Sequence, residues 1–228
     1  MKTFSKTPKT VNELMYKANS LAGLSLGELA EKSKDTVPAN LLKKKAWIGN
    51  LLEIHLGADA KNQALPDFSQ LEIELKTLPI NQYGKPLEST YICRAPDKAE
   101  ARFNDSALYK KTKSILFIPI LSNKELPIAQ RVIAQPLLWN RTEEYEQSLY
   151  ADWYELSENL RLGKFDKISA KSGKLIQLRP KAANSKSFIK RLDEDLNISY
   201  IVPKGFYFRT NFTTELLKKH YLIDTSKL

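Results

Sequence analysis

The chain has 228 residues and a formal net charge of +10. This length exceeds one average domain and falls short of two, so we expect a single domain over residues 1–228, divided into two lobes. No apolar run reaches the roughly eighteen residues of a membrane span, and the N-terminus lacks an apolar signal core, so we expect a cytoplasmic protein. One cysteine and two histidines exclude a disulfide framework and a Cys/His zinc site, so any metal must have oxygen ligands.

The positive charge is concentrated near the C-terminal end. Residues 161–228 contain fifteen Lys and Arg against six Asp and Glu, whereas residues 140–160 contain one against six. Such a distribution indicates one basic surface for a polyanionic partner, although a well-solvated surface of high pI is an equal alternative. Composition does not separate DNA, RNA and anionic lipid.

The first elements in the chain are predicted to be helices. Thr10 and Ser25 are each followed by a glutamate three residues later, which is the signature of a capping box. The first predicted helix ends at Gly23 and the second near Lys32. A third helix is predicted from Asn40 to Leu56.

Glu53 lies on an unusual stripe of the third helix. At 100° per residue its neighbours on that stripe are small or polar: Ala46, Gly49, Asn50 and Gly57. Two glycines cost helix stability, so we interpret this surface as one that a ligand approaches closely. An exposed glutamate without function is the alternative.

Residues 71–76 alternate between apolar and charged side chains, which predicts a half-buried strand with Glu72, Glu74 and Lys76 on one face. A turn over residues 81–86 and a return strand over residues 89–93 would complete a hairpin. Cys93 is then a small core residue.

A metal-dependent phosphodiester cleavage explains this pattern. Asp67 and Glu74 could hold a hard divalent cation against a phosphate, and Glu53 could supply a further carboxylate. Lys76, on the same strand face as Glu74, could orient a water molecule and stabilise charge on the phosphoryl oxygens. A solvated, charged strand face is the alternative.

Pro66-Asp67 followed by Glu74-Leu75-Lys76 matches the PD-(D/E)xK nuclease signature, and the surrounding sequence resembles the MutH family of mismatch-repair endonucleases. The shared phrases lie in order along nearly the whole chain. They are residues 24–30, 47–58, 74–77, 86–90, 136–139, 179–184, 205–207 and 211–213.

The resemblance implies a mixed α/β restriction-endonuclease-like fold, with a mixed sheet flanked by helices and two lobes flanking a DNA cleft. It also implies a Mg²⁺-dependent enzyme, with Mn²⁺ as a possible substitute, that nicks the unmethylated strand of double-stranded DNA at hemimethylated GATC sites. The implied partners are a MutL-type activator and, indirectly, a MutS-type mismatch sensor. We expect a monomer that does not bind membranes.

The resemblance also assigns site residues. Asp67, Glu74 and Glu53 would bind the metal, and Lys76 would be the catalytic lysine. Lys111 falls where the family has a further lysine implicated in activity. Because the preceding residues depart from the family pattern, Lys110 and Lys113 are rivals for that role. Glu72 also departs from the family, and we interpret it as a bystander.

Arg179, Lys181 and Tyr207 match family positions that face DNA and read the site. A predicted hairpin from Lys167 to Arg179, turning at residues 172–174, would present the two cations. Tyr207 near adenine N6 would penalise a methylated strand, because methylation adds bulk there. Arg179 could equally clamp a phosphate and carry no sequence information.

Two further elements complete the prediction: a buried strand over residues 114–120 and an amphipathic helix from Glu143 to Leu162. Two other functions stay open. One is a stand-alone GATC restriction endonuclease of the same fold, and the other is a non-catalytic DNA-binding module with vestigial acids.

Overall fold

The structure is a computed structural model that describes residues 5–42, 44, 46–60, 65–95, 102–123, 125–168, 172–181 and 188–221. The chain divides into two compact units, each assembled from separate stretches of sequence. Unit 1 comprises Met1–Glu88, Lys113–Asn140 and Thr214–Leu228, and unit 2 comprises Ser89–Thr112 and Arg141–Thr213.

Unit 1 begins with three helices, α1 (Val11–Leu21), α2 (Leu26–Lys32) and α3 (Trp47–Leu56). Both predicted N-caps are confirmed, since the side chains of Thr10 and Ser25 each accept a backbone N–H three residues on. The prediction that α3 begins at Asn40 is wrong. The Asn40 side chain instead accepts the backbone N–H of Leu42 at 2.7 Å, a local bond that competes with helix formation.

The sheet of unit 1 is built on β3 (Ser114–Leu121), the predicted buried strand. β3 pairs in parallel with β1 (Glu74–Ile80), and in antiparallel fashion with β4 (Val132–Ile133) and β5 (Leu137–Asn140). The helices cover this sheet with a shared apolar core. Its fully buried members include Leu14, Leu26, Leu51, Leu52, Leu56, Leu116 and Ile118.

The predicted hairpin between β1 and β2 (Thr90–Arg94) is wrong, because the described residues of β1 pair with β3 and those of β2 pair with β9 (Lys204–Phe208). The turn forms, with an isolated bridge between Ile80 and Pro86, but the chain then leaves unit 1. The strand also begins later than predicted. Glu72 adopts a left-handed conformation (φ 54°) after the short 3₁₀ helix Ser69–Leu71, so β1 begins at Glu74.

Unit 2 contains a three-stranded antiparallel sheet in the order β2, β9 (Lys204–Phe208), β6 (Ile176–Pro180). A separate hairpin joins β7 (Ile189–Leu192) to β8 (Ile198–Ile201). Helices α4 (Ala107–Lys111) and α5 (Glu143–Arg161) belong to this unit. The amphipathic helix predicted from Glu143 to Leu162 is confirmed as α5. The last helix is α6 (Thr210–Tyr221).

The predicted hairpin that ends at Arg179 is only partly confirmed. Its second strand is β6, but β6 pairs with β9, and Lys167 ends a 3₁₀ helix rather than beginning a strand. Residues 169–171 of the predicted first strand lie outside the described residues. Cys93 is buried, as predicted. Within the described residues, no helix has both the length and the apolar character that crossing a membrane requires.

Candidate active site

Glu74 and Lys76 stand together at the start of β1. Their side chains point to the same face because they are two residues apart in a strand. The Lys76 ammonium nitrogen lies 2.6 Å from Glu74 Oε1, and the side chains are only 14% and 3% exposed. A carboxylate this deeply buried needs a charged or hydrogen-bonded partner, and Lys76 provides one.

Asp67 is held beside the same strand. Its Oδ2 accepts the backbone N–H of Leu75 at 2.7 Å, so the carboxylate reaches the residue between Glu74 and Lys76. The preceding chain is fixed as well, because Asp59 donates its backbone N–H to the Asp67 carbonyl at 3.0 Å. The signature residues Asp67, Glu74 and Lys76 are therefore neighbours at one end of β1.

Asp59 stabilises the loop that carries Asp67. Its carboxylate accepts the backbone N–H of Ser69 at 2.8 Å and the Ser69 hydroxyl at 2.7 Å. Burial raises the pKa of Asp59, but the two bonds from Ser69 outweigh it, and the net pKa is lowered. Ser69, two residues after Asp67, is thus held by an ionised carboxylate.

Glu53 is a partly exposed residue of α3. Of the two glycines on its stripe, Gly57 is the left-handed C-cap of α3 (φ 79°), and a side-chain carbon there would lie 2.5 Å from the Lys6 carbonyl oxygen, so Gly57 does not open a surface for a ligand. A side-chain carbon added at Gly49 would have the Glu53 Oε1 as its nearest contact, at 4.0 Å. His55 points to α2 instead, where its Nε2 lies 2.8 Å from the Leu29 carbonyl, and burial lowers the pKa of His55. Gly49 therefore leaves open the surface beside Glu53.

Across the described ranges, no three Asp, Glu, His or Cys side chains form a group that could hold a metal ion. The joint metal-binding role of Glu53, Asp67 and Glu74 accordingly stays a prediction. Asp67 and Glu74 are brought to the same strand end by the contacts above.

The three candidate lysines around α4 have different environments. Lys110 and Lys113 are exposed, and Lys113 forms an ion pair with Glu72 in which both side chains are more than half exposed. Lys111, in the last turn of α4, is partly buried. Engagement of Glu72 by Lys113 agrees with its interpretation as a bystander.

Arg141 braces the end of α4 that carries Lys111. Its guanidinium donates to the Tyr109 carbonyl at 2.9 Å and to the Thr112 hydroxyl at 3.1 Å, and it lies 3.9 Å from the centre of the Tyr109 ring. A helix of five residues is marginal alone, so these contacts hold its last turn in place.

One face of the β2-β9-β6 sheet carries a line of partly or fully exposed side chains that we call the cation–aromatic row: Arg179, Tyr207, Tyr91 and Lys181. The rings of Tyr91 and Tyr207 meet edge to face at 5.2 Å. The Lys181 nitrogen lies 4.1 Å from the Tyr91 ring centre, and the Arg179 guanidinium carbon lies 5.9 Å from that of Tyr207. The three predicted DNA-facing residues are thus in one row.

Sequence reasoning missed Ser89 and Tyr91. Arg179 donates to the Ser89 hydroxyl oxygen at 2.6 Å, and Tyr91 faces Tyr207 across the β2-β9 pair. Gly205 makes the row possible, because a side-chain carbon there would lie 2.9 Å from the Tyr91 ring and 3.3 Å from Lys181 Cβ. The predicted strand over residues 89–93 is the available signal, but the nearby turn predicts its pairing with β1 and not with β9.

Comparison with known proteins identifies the family. The model of a family described as "DNA mismatch repair enzyme MutH" matches residues 56–152, which include Asp67, Glu74, Lys76 and Lys111. The DNA mismatch repair protein MutH of Vibrio parahaemolyticus is 43% identical over 217 residues, covering 94% of this chain and 96% of that protein. This chain belongs to the MutH family. The MutH proteins of Escherichia coli O127:H6 and Photorhabdus laumondii are 40% and 41% identical, each over 95% of this chain and 96% of their own length.

The resemblance that the sequence motifs indicated is therefore confirmed. The mixed α/β architecture, with sheets flanked by helices, is the one expected for the MutH family. The nuclease signature lies in unit 1, whereas the cation–aromatic row lies in unit 2.

Proposed function

We propose that this MutH-family chain is a Mg²⁺-dependent endonuclease that nicks the unmethylated strand at hemimethylated GATC sites during methyl-directed mismatch repair. It acts as a cytoplasmic monomer, associated with the nucleoid when bound to DNA. A MutL-type protein activates it after a MutS-type protein has found a mismatch. The observation that carries the proposal is the buried Glu74–Lys76 pair beside Asp67, within a chain similar to MutH proteins over nearly its whole length.

The donor set fits Mg²⁺ in its chemistry, because hard divalent cations take oxygen ligands. Asp67 and Glu74, at the same end of β1, would hold the ion, with Glu53 as a further ligand. When bound, Mg²⁺ would lower the pKa of a coordinated water and stabilise charge on the phosphoryl oxygens.

Lys76 supplies a positive charge that needs no reorganisation during the reaction. Its ammonium is fixed by Glu74 in a largely water-excluded position, where electrostatic stabilisation is stronger than in water. It would hold the attacking water and stabilise the negative charge that develops as this water displaces the 3′-oxygen in line. The products are a 5′-phosphate and a 3′-hydroxyl.

The cation–aromatic row reads the site. Arg179 and Lys181 can donate to guanine O6 and N7 or to phosphate oxygens, and the ring of Tyr207 can press against the adenine N6 region. A methyl group on N6 would collide with a closely packed ring, so the methylated strand is disfavoured. The MutH family's choice between strands would then depend on a steric contact.

The test is a nicking assay on a plasmid with one hemimethylated GATC site, with and without Mg²⁺ and with MutL and MutS proteins added separately. We expect open-circular product that depends on Mg²⁺, lies in the unmethylated strand and increases with the activator. Linear product from unmethylated plasmid without activator would indicate a stand-alone restriction enzyme. Absence of cleavage with both Mg²⁺ and Mn²⁺ at low salt would indicate a non-catalytic DNA-binding module.

A further inference from the structure

Ser89 and Arg179 are ninety residues apart in sequence and joined by a short hydrogen bond. Ser89 lies just before β2 and is 8% exposed, whereas Arg179 is an exposed residue of β6. Arg179 Nη1 donates to Ser89 Oγ at 2.6 Å. Both residues belong to unit 2, so this contact is internal to one compact body.

An exposed arginine ordinarily samples many rotamers, and binding a ligand then requires that this freedom be lost. Arg179 is restrained before any ligand binds, by the buried Ser89 oxygen and by the ring of Tyr207 at 5.9 Å. One of its five N–H donors is used by Ser89. The planar guanidinium group of Arg179 therefore has a defined orientation on this face of the sheet.

We propose that Ser89 is a positioning residue that presets the Arg179 guanidinium for DNA. Ser89 does not contact the DNA; it acts through Arg179, by holding the fork beside Tyr207 at one end of the cation–aromatic row. This inference rests on the proposed function, in which Arg179 contacts the GATC site.

The geometry explains why a serine suits this position. Its hydroxyl oxygen is a compact, neutral acceptor at a buried position. A carboxylate at this position would form an ion pair with the guanidinium and weaken its electrostatic attraction for a phosphate or a guanine. A hydroxyl orients Arg179 and leaves its charge available to the ligand.

The experiment is a double-mutant cycle of Ser89→Ala and Arg179→Ala. Its two readouts are kcat/KM for nicking a hemimethylated GATC duplex and the equilibrium affinity for the same duplex by fluorescence anisotropy. We expect Ser89→Ala to lower affinity and kcat/KM by about tenfold, equivalent to about 1.4 kcal/mol. In the Arg179→Ala background, the same substitution should change neither quantity by more than about twofold, since coupled residues are not additive.

Three further measurements make the outcome decisive. Ser89→Thr, which keeps the hydroxyl, should retain most of the affinity, and Ser20→Ala, an exposed serine of α1, should match wild type. Thermal melting of every variant monitors folding; if Ser89→Thr does not fold, the cycle with alanine decides. Equal losses from Ser89→Ala with and without Arg179 would overturn the proposal. If the wild type binds the duplex but does not nick it, the proposed function fails while the anisotropy cycle still tests Ser89.

Discussion

The ammonium of Lys76 lies 2.6 Å from the carboxylate of Glu74, whose side chain is almost fully buried, whereas that of Lys76 is 14% exposed. Lys76→Ala removes the positive charge from this site and leaves the cation–aromatic row in place. We expect nicking of hemimethylated plasmid to fall by at least about 10²-fold, as for loss of a preorganised electrostatic group. Duplex affinity should change little. Lys85→Ala, an exposed lysine after β1, is the control, and nicking retained by Lys76→Ala would contradict the role.

Tyr207 is expected to set the preference between methylated and unmethylated strands. Tyr207→Ala removes the ring that packs against Tyr91 at 5.2 Å, so the ratio of nicking on hemimethylated to fully methylated DNA should fall by about tenfold or more. Tyr207→Phe keeps the ring and should keep most of the discrimination. The measurement compares initial rates on unmethylated, hemimethylated and fully methylated duplexes. Unchanged ratios after both substitutions would remove Tyr207 from strand choice.

Substitution of Gly49 is expected to change the stability of the protein and its nicking activity in opposite directions. Gly49→Ala should stabilise α3 by about 0.5–1 kcal/mol, because alanine is the better helix former and the added carbon meets no close contact. The same methyl narrows the open surface beside Glu53, and we expect nicking to fall by about tenfold. Ser148→Ala in α5 should stabilise without loss of activity. Nicking at the wild-type rate in a stabilised Gly49→Ala protein would show that nothing approaches Glu53 closely.

Asp152 holds the start of β6. Its buried carboxylate accepts three backbone N–H groups, from Lys174, Leu175 and Ile176, at 2.7, 2.6 and 2.9 Å. Asp152→Asn removes the charge and directs an N–H₂ group at these donors, so we expect a loss of about 3 kcal/mol in the free energy of unfolding. Glu155→Gln, exposed on the same helix, should stay within about 0.5 kcal/mol. Urea denaturation measures both, and equal stabilities would contradict the assignment.

The hydroxyl of Tyr221 is expected to make the folded protein less stable at alkaline pH. Burial raises the pKa of Tyr221 to about 12, and its hydroxyl donates to the Gln135 carbonyl. Because the folded-state pKa exceeds the unfolded value near 10, the contribution is fully present below pH 10 and is lost as pH rises toward 12. The stability advantage of wild type over Tyr221→Phe should therefore shrink between pH 9 and 12. The exposed Tyr16, replaced by Phe, is the control.

Local signals in the sequence predicted local structure well. The caps at Thr10 and Ser25 and the helix from Glu143 are determined by residues within a few positions, and β3 is recognisable as an apolar run. Pairing between strands was not predictable in this way. β1 pairs with a strand that begins 34 residues after β1 ends, so the nearby turn was a misleading guide.

The same distinction applies to the site. Glu74 and Lys76 are two residues apart in one strand, so their contact follows from strand periodicity. The bond between Ser89 and Arg179, and the meeting of Tyr91 with Tyr207, depend on the β2-β9-β6 pairing. These contacts join distant segments, and single-sequence periodicity carries no information about them.

The discontinuous composition of the two units has a practical consequence for dissecting the protein. A fragment that stops before Ser89 would contain β1 but lack β3, the strand that hydrogen-bonds β1 along its length. A fragment that starts at Ser89 would have β3 without β1. Neither half obtained by a cut at Ser89 would therefore contain the complete sheet of unit 1, and we expect neither half to fold as that unit.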